Sequence, residues 1–383
     1  MKIHVWVPDY ASAIGGIQTF SRFLVRGLRD VCPNAHISVF SKNDTSYPDP
    51  GSDPADSFTP LGWWNPKLRT LAFADELVRR TIAERPDLII VGHVNFAPVA
   101  HWLQKLFRVP FVAIGYGVEV WEIKSRLTRS ALRSANRLFA ISHFTRRRMA
   151  ATLGISSDRI NLLPCTFDPE QFLPGRRPHY LLKRYGINAD QPVILTITRL
   201  AGAERYKGYD QIFRALLTVR EQFPTVRYVL AGRGRDRLRI EQLIRELGVG
   251  ESVVLAGYVP DYELQSHYNL CDVFAMPSKG EGFGIVFLES LACGKPVLAG
   301  NKDGSTEPVL NGELAALIDP DNVDDIADAL IAVLRRTHPN RVLFDGDALR
   351  RRVIEAYGYD RFKQSLFQVL SPVLKAETSI CAE

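Results

Sequence analysis

Short apolar runs rich in β-branched residues alternate along the chain with segments whose apolar positions recur at helical spacing. This alternation is typical of βαβ units, which build a parallel sheet covered by helices. In the first half, strands are predicted at 2–8, 36–41, 87–91, 111–114, 137–141 and 160–163, and helices at 17–30, 67–84 and 96–107. In the second half, strands are predicted at 192–198, 226–231, 252–256, 272–276 and 296–299, and helices at 207–223, 235–247, 284–293, 323–335 and 360–370.

A proline-rich interval separates the two series. Residues 164–178 contain four prolines and little periodicity, which indicates a linker. A chain of 383 residues is also too long for one ordinary hydrophobic core. We therefore predict two doubly wound α/β domains in tandem. The last predicted helix could pack on the second domain or return to the first.

Composition narrows the class of protein. Apolar residues make up 46% of the chain and charged residues 23%, as in soluble globular proteins. The N-terminus lacks the apolar stretch of a signal peptide, and no run approaches the roughly 18 apolar residues that span a bilayer. The five cysteines show no paired metal-binding spacing, which favours reduced structural thiols. We therefore expect a cytoplasmic protein.

The net charge of +6 is concentrated in one stretch, residues 124–148, which we call the basic segment. Its eight basic residues are Lys124, Arg126, Arg129, Arg133, Arg137, Arg146, Arg147 and Arg148. Four arginines, from Arg126 to Arg137, recur at helical spacing and would share one face of a helix. That face could simply be solvated, or it could attract the anionic headgroups of a membrane or an acceptor's diphosphate. Nucleic acid is disfavoured as a partner because no nucleic-acid-binding motif accompanies the charge.

Unusual residues follow several predicted strands, and ligands of open parallel sheets bind outside the carboxyl ends of the strands. If the two domains face each other, these residues line one cleft. They are Gly15, Gly16, His93, Tyr116, Arg199, the Gly232-Arg233-Gly234 turn and the loop from Ser278 to Glu281.

The sharpest motif is Glu281-Gly282-Phe283-Gly284-Ile285, followed by a second acidic residue, Glu289. The glycines let backbone amides approach a ligand, and the amides at 283–285 would be unpaired donors at a helix N-terminus. Both carboxylates can face the cleft and accept hydrogen bonds from the hydroxyls of a polyol. The motif therefore predicts a site for a sugar or an anion.

A second motif places Arg199 after a strand and Lys207 at the start of the next predicted helix. An Arg fork and a Lys point charge together suit a pyrophosphate. The turn at Gly232-Arg233-Gly234 lacks the third glycine of a dinucleotide-binding fingerprint, so we predict no dinucleotide site there.

In their order and spacing these motifs resemble family 4 of the retaining glycosyltransferases, which have the GT-B fold. The similarity covers nearly the whole chain: Gly-Gly-Ile-Gln at 15–18, Arg-Leu and Tyr-Lys-Gly within 199–208, Gly-Tyr-Val at 257–259, Met-Pro-Ser through the second Glu at 276–289, and Ala-Cys-Gly-Lys-Pro-Val at 292–297. The resemblance implies two facing Rossmann-like domains with an interdomain cleft. Residues 1–175 would bind the acceptor, 190–357 would bind the nucleotide sugar, and a C-terminal helix at 358–375 would join the first domain.

The resemblance also implies a role for each matching residue. Arg199 and Lys207 would bind the donor diphosphate, with Gly16 beneath it. Glu281 would bind hydroxyls of the donor sugar, and Glu289 the ribose. The other residues implied on the donor side, the base included, are Tyr258, Val259, Gly282, Phe283, Gly284 and Ile285, and those assigned to the acceptor or the cleft are Gly15, Gln18, His93, Tyr116 and Glu119.

One position departs from the family pattern. Many members carry a histidine before a glycine after the fourth strand, beside the donor sugar, where this chain has Tyr116. A tyrosine can donate a hydrogen bond, but it cannot act as a base near neutral pH. The role of that histidine is therefore not assigned to Tyr116, and His93 does not simply inherit it, so a catalytic role for either residue stays open.

The reaction expected from the resemblance is transfer of a hexose from a nucleotide diphosphate sugar with retention, by front-face displacement. The resemblance also implies that no metal or cofactor is needed, and the Asp-x-Asp ligand set of metal-dependent transferases is not among the cleft motifs. GDP-mannose is the first choice of donor, and UDP-linked glucose, galactose or N-acetylglucosamine is the alternative. The expected acceptor is a glycan, either a polysaccharide or a polyprenyl-linked or other lipid-linked intermediate, met by a cytoplasmic protein at the inner face of the membrane. A sugar-nucleotide epimerase and a non-catalytic sensor are alternatives from other classes.

Overall fold

The computed structural model describes residues 1–11, 15–48 and 53–378, with side chains as far as Val373. The chain divides into two compact units. The first contains Met1–Thr166 and the C-terminal segment that begins at Asp360, and the second contains Phe167–Tyr359. Residues 167–175, which the sequence analysis assigned to the first domain, therefore belong to the second unit.

The first unit is built on a parallel sheet. Its strands within the described ranges are β1 (Lys2–Val7), β2 (His36–Ser41), β3 (Ser57–Pro60), β4 (Leu88–Val91), β5 (Phe111–Gly115), β6 (Arg137–Ala140) and β7 (Ile160–Leu162). They pair in the order β3-β2-β1-β4-β5-β6-β7. The helices between them are α1 (Gly16–Val31), α2 (Arg69–Glu84), α3 (Ala97–Phe107), α4 (Val118–Trp121), α5 (Arg126–Ser134) and α6 (His143–Leu153).

The second unit repeats this plan. Its strands are β8 (Val193–Ile197), β9 (Arg227–Ala231), β10 (Val253–Gly257), β11 (Val273–Met276), β12 (Val297–Gly300) and β13 (Ala315–Ile318), in the order β10-β9-β8-β11-β12-β13. Its helices are α7 (His179–Tyr185), α8 (Tyr209–Gln222), α9 (Arg237–Leu247), α10 (Asp261–Leu270), α11 (Ile285–Ala292), α12 (Val323–Leu334) and α13 (Gly346–Tyr357). All strand pairs of both sheets are parallel, as predicted.

The last helix, α14 (Tyr359–Thr378), is longer than predicted and packs against α1 of the first unit. The rings of Phe20 and Phe362 meet edge to face at 5.8 Å between centroids. A Cβ atom on Gly27 would lie 2.8 Å from Leu366, so the absence of a side chain at this glycine lets the helices approach closely. Two buried aromatic rings and a glycine contact thus hold the C-terminal helix on α1.

Each sheet changes winding direction once, and this positions the functional loops. In the first sheet the change falls between β1 and β4, and in the second between β8 and β11. The loops that follow the two central strands lead to opposite sides of the sheet at this point. They leave a crevice between them at the carboxyl edge, where ligands of such folds bind. Within the second unit the two loops are those that carry Arg199 and Glu281.

Two strands and several helices escaped prediction. Strand β3 is a short edge strand that ends in Pro60, a residue that lacks the N–H of a central strand. Strand β13 has the sequence Ala-Ala-Leu-Ile, which lacks a strong strand preference and gains its conformation by pairing with β12. The missed helices are α4, α5, α6, α7, α10 and α13.

The expectation that four arginines share one helix face is wrong for the last of them. Helix α5 begins after Ser125, whose side chain accepts a hydrogen bond from the amide of Thr128, and ends at Ser134. Arg137 therefore lies at the start of β6. The remaining arginines of α5 keep the predicted spacing.

Candidate active site

The loop after β8 contributes the two predicted cations of the site, Arg199 and Lys207. The guanidinium of Arg199, two residues beyond the strand, lies 2.5 Å from the carboxylate of Glu204. Lys207 does not open a helix as predicted, because it ends a 3-10 segment, Gly202–Lys207, and α8 begins only at Tyr209. The reason lies in Gly208 between them, whose φ of +83° is left-handed.

Gly208 also brings this loop against the loop after β11. A Cβ atom at Gly208 would lie 2.2 Å from the carbonyl oxygen of Pro277, closer than any side chain allows. The contact places the ammonium of Lys207 3.4 Å from Oε2 of Glu281 and 3.6 Å from Oε2 of Glu204. The structure therefore brings together Arg199, Lys207 and Glu281, and adds Glu204, which the sequence analysis missed.

Glu281 is held through its backbone. Its amide donates a hydrogen bond of 2.6 Å to the buried carboxylate of Asp303, which also accepts one from the hydroxyl of Ser278. The side chain of Glu281 is 19% exposed, and its Oε2 atom has no hydrogen-bond partner among the described residues. A buried carboxylate oxygen without a donor is energetically costly, so this atom is suited to accept a hydrogen bond from a ligand hydroxyl.

Gly284 sets the entry to α11. Its φ is +98°, and a Cβ atom there would lie 2.6 Å from the ring of Phe287. The helix begins at Ile285, one residue later than predicted, and its first amides lack intrahelical acceptors. Phe283 is buried edge to face against Tyr357, at 5.3 Å between ring centroids, and this contact anchors the loop.

Glu289 is more enclosed than the sequence analysis expected. It is only 9% exposed, and its Oε2 atom accepts a hydrogen bond of 2.6 Å from the hydroxyl of Tyr268 on α10. Burial raises the pKa of its carboxyl to about 7, although the bond from Tyr268 lowers the pKa in part. The free protein therefore holds this side chain as a buried, tyrosine-bound group rather than as an open carboxylate.

The loop after β10 carries the residues expected to meet the base. Tyr258 is 44% exposed, and the guanidinium of Arg233 lies over its ring at 4.7 Å from the centroid. Val259 is buried. The two glycines beside Arg233 serve close packing, since a Cβ atom at Gly232 would lie 1.7 Å from the carbonyl of Thr198.

In the first unit, Gly15 and Gly16 lie at the start of α1, after β1. A Cβ atom at Gly16 would meet nothing within 4 Å, so packing in the described structure does not require a glycine there. A Cβ atom at Gly15 would lie 2.7 Å from the amide oxygen of Gln18. The Gln18 amide in turn lies 3.4 Å from the carboxylate of Asp9. These residues form a polar group at the carboxyl end of β1.

His93 and Tyr116 follow β4 and β5. The Nδ1 atom of His93 accepts a hydrogen bond from the amide of Asn95, and burial lowers the pKa of the ring while the Glu119 carboxylate raises it in part. Glu119 accepts hydrogen bonds from the amides of Tyr116 and Gly117, at 2.6 and 3.1 Å. Tyr116 itself is 6% exposed and packs against Phe20, so its ring is enclosed within the first unit.

Groups of three or more His, Cys, Asp or Glu side chains placed to hold a metal ion are absent among the described residues. The chain does contain an Asp-x-Asp sequence, Asp319 to Asp321, after β13. Lys302 contacts both carboxylates, at 2.5 and 2.9 Å, and Lys279 contacts the second at 2.5 Å. No described helix is long and apolar enough to cross a membrane.

Comparison with solved structures places the chain among the GT-B proteins. It is similar to sucrose-phosphate synthase from Thermosynechococcus elongatus, with a TM-score of 0.81 at 22% identity, over 98% of this chain and 99% of that one. It is also similar to the Anabaena protein HepE in complex with UDP-glucose, with a TM-score of 0.77 at 20% identity, over 97% and 100% of the two chains. The fold is therefore GT-B, two parallel-sheet α/β domains, as predicted.

Sequence comparisons identify the family. The model for "Glycosyl transferases group 1" matches residues 181–353, and the model for "Glycosyltransferase Family 4" matches residues 14–171. A GDP-mannose-dependent alpha-(1-6)-phosphatidylinositol monomannoside mannosyltransferase of Mycolicibacterium smegmatis is 33% identical over 272 residues, 68% of this chain and 69% of the relative. A D-inositol 3-phosphate glycosyltransferase of Acidothermus cellulolyticus is 31% identical over 233 residues, 58% of this chain and 51% of the relative. The chain belongs to glycosyltransferase family 4 and is a hexosyltransferase.

Proposed function

We propose that this glycosyltransferase moves mannose from GDP-mannose to a lipid-linked or polysaccharide acceptor, with retention of configuration and without a metal. The observation that carries the proposal is the group formed by Arg199, Lys207 and Glu281 at the point where the second sheet changes winding direction. The name of the Mycolicibacterium relative states a GDP-mannose donor and a phosphatidylinositol-linked acceptor, which supports both choices.

Arg199 and Lys207 are proposed to bind the donor diphosphate. Negative charge grows on the diphosphate as the bond from the anomeric carbon to its oxygen breaks, and cations fixed at that position lower the barrier. The acceptor hydroxyl attacks the same face of the sugar that the diphosphate leaves. Its proton passes to the departing phosphate oxygen, so the new glycosidic bond forms with retention and no protein base is needed.

The two glutamates are proposed to bind hydroxyl groups of the donor. The Oε2 atom of Glu281, buried without a hydrogen-bond partner among the described residues, supports a bond from a hydroxyl of the sugar. The carboxyl of Glu289, oriented by Tyr268, is proposed to bind the ribose. The half-exposed ring of Tyr258 and the backbone beside it are proposed to meet the base.

The first unit is proposed to bind the acceptor and to dock through the basic segment on an anionic membrane. Lys124, Arg126 and Arg147 of that segment are exposed. Helix α3 packs beside α5 and exposes Trp102 and Leu106, at 48% and 56%, which supports shallow apolar contact with lipid. Each basic side chain near such a surface contributes on the order of 1 kcal/mol, so several together bind reversibly.

A UDP-sugar donor is the second candidate, favoured by the likeness of the fold to HepE in complex with UDP-glucose. A thermal-shift screen with GDP-mannose, UDP-glucose, UDP-galactose and UDP-N-acetylglucosamine tests the choice, because a ligand of the native state raises the unfolding temperature. The donor that gives the largest shift is then incubated with lipid-linked mannosides, and the products are analysed. A new glycoside from GDP-mannose is expected. A donor converted without acceptor would indicate an epimerase, and binding without turnover a sensor.

A further inference from the structure

Glu204 lies between the two cations of the proposed diphosphate site. One of its oxygens is 2.5 Å from the guanidinium of Arg199, and the other is 3.6 Å from the ammonium of Lys207. Its side chain is 12% exposed, whereas that of Arg199 is 66% exposed. The carboxylate is therefore fixed against the protein, while the guanidinium that it pairs with can still turn toward solvent.

The pairing of Glu204 is incomplete. Its Oε2 atom is buried and has no hydrogen-bond partner among the described residues, since a contact of 3.6 Å to Lys207 is longer than a hydrogen bond. Glu281 approaches the same ammonium at 3.4 Å, and its Oε2 atom is likewise unpartnered. Burial and the nearby carboxylates of Glu281 and Glu204 raise the pKa of the Tyr206 hydroxyl, which agrees with both carboxylates lying close to this ring.

The two cations and two carboxylates thus form a group with no net charge. A diphosphate that bound to Arg199 and Lys207 beside an unchanged Glu204 would meet a carboxylate at close range. Like charges repel more strongly in a partly dry site than in water. The binding of a diphosphate therefore has to break the contact between Arg199 and Glu204.

We propose that Glu204 is a built-in counter-ion, which occupies the diphosphate-binding cations in the free protein and is exchanged for the diphosphate when a nucleotide binds. The inference rests on the proposed diphosphate role of Arg199 and Lys207. Glu204 keeps the two cations near their working positions without a ligand. It also competes with the departing nucleoside diphosphate and so favours product release.

The sign of the effect on affinity separates this role from a purely structural one. If Glu204 competes with phosphate, then its replacement by Gln tightens the binding of every ligand that carries a diphosphate. If Glu204 only positions the cations, the same replacement weakens binding. An exposed arginine limits the strength of the competing pair, so we expect a change of roughly three- to tenfold in Kd.

The test is calorimetric titration of GDP, UDP and inorganic pyrophosphate into wild type, Glu204→Gln and Glu204→Ala. The matched control is Glu263→Gln, because Glu263 is 14% exposed and pairs with Arg184 at 2.6 Å elsewhere in the second unit. We expect a lower Kd for the preferred nucleoside diphosphate and for pyrophosphate in both Glu204 variants, and no change in the control. Binding of the matching nucleoside, which lacks phosphate, should stay the same.

An unchanged or higher Kd for the nucleoside diphosphate in both Glu204 variants overturns the counter-ion while leaving the proposed function intact. The same holds if affinity for the nucleoside changes in parallel, because that result indicates a general change in the site. If wild type binds neither GDP nor UDP, the proposed function fails and the counter-ion fails with it. Thermal unfolding of each variant identifies any that does not fold. The Kd values of the remaining Glu204 variant then show whether Glu204 competes with the diphosphate.

Discussion

The buried carboxyl of Glu289 predicts an unusual dependence of stability on pH. Its pKa is about 7 in the folded protein against an ordinary value of 4.5, because burial disfavours the charged form. The folded protein therefore holds this proton at pH values where the unfolded chain has lost it. The contribution of Glu289 to stability falls as pH rises from about 4.5, and the loss is complete above about 7.

The magnitude follows from the size of the shift. A displacement of about 2.5 pKa units corresponds to about 3 kcal/mol, of which roughly 2.5 kcal/mol falls between pH 5 and pH 8. Replacement by Gln removes the ionisation and keeps the shape of the side chain. We therefore expect the free energy of unfolding of Glu289→Gln, relative to wild type, to rise by about 2.5 kcal/mol from pH 5 to pH 8.

Denaturant unfolding of both proteins at several pH values measures this difference. The control is Glu246→Gln on α9, an exposed glutamate, for which the relative stability should change little with pH. If wild type and Glu289→Gln show parallel pH profiles, burial does not raise the pKa of Glu289, because this side chain then ionises as it does in the unfolded chain. If Glu289 binds the ribose as a carboxylate, nucleotide affinity should also increase as pH rises through about 7.

Four further results are expected. Replacing Arg199 or Lys207 by Ala should lower kcat by at least ~10²-fold, since each removes a charge that stabilises the leaving group, and a loss of only a few-fold for both would contradict those roles. Activity measured in excess EDTA should equal that without it, and loss of turnover restored by Mg²⁺ or Mn²⁺ would reject a metal-free reaction. The protein should sediment with phosphatidylglycerol vesicles at low salt and be released from them at high salt. Replacing all three arginines of α5 by Glu should abolish this binding while transfer to a soluble acceptor continues. Binding that is equal on neutral vesicles would exclude the docking. Gly232→Ala should lower the free energy of unfolding by at least ~2 kcal/mol because of its clash with Thr198, whereas Gly186→Ala, in open space, should cost about 1 kcal/mol. Equal losses, measured by denaturant unfolding, would contradict the steric argument.

The sheets were predictable because their central strands are mostly buried apolar runs that contain β-branched and aromatic residues, which differ plainly from the helices between them. The carboxyl edges, and with them Arg199 and Glu281, followed from the same pattern. Strand β13 was not predictable in this way, since its two alanines favour helix over strand and the strand conformation comes from pairing with β12. The local sequence pattern therefore predicts a strand or helix where the pattern is strong. Where the pattern is weak, pairing with a neighbouring strand determines the conformation.

Parts of the site depend on contacts that the sequence does not display. The left-handed conformation of Gly208 ends the 3-10 segment at Lys207, and a glycine alone does not reveal on which side of it a helix begins. Glu204 was missed because its ion pairs form on an irregular 3-10 segment, where the sequence had predicted no regular element. The buried carboxyl of Glu289 receives its hydrogen bond from Tyr268, which belongs to a different helix. Each of these details depends on backbone conformation or on side-chain contacts that local sequence pattern does not reveal.

Proton NMR of the purified protein, with GDP-mannose and a lipid-linked mannoside in solution, tests glycosyl transfer most directly. GDP and a new glycoside should appear in equal amounts, and the new glycosidic bond should keep the anomeric configuration of the donor. A glycoside of inverted configuration would contradict the front-face mechanism. If GDP-mannose is epimerised or left unchanged, and each UDP-sugar of the panel tried in its place is also epimerised or left unchanged, glycosyl transfer itself is contradicted.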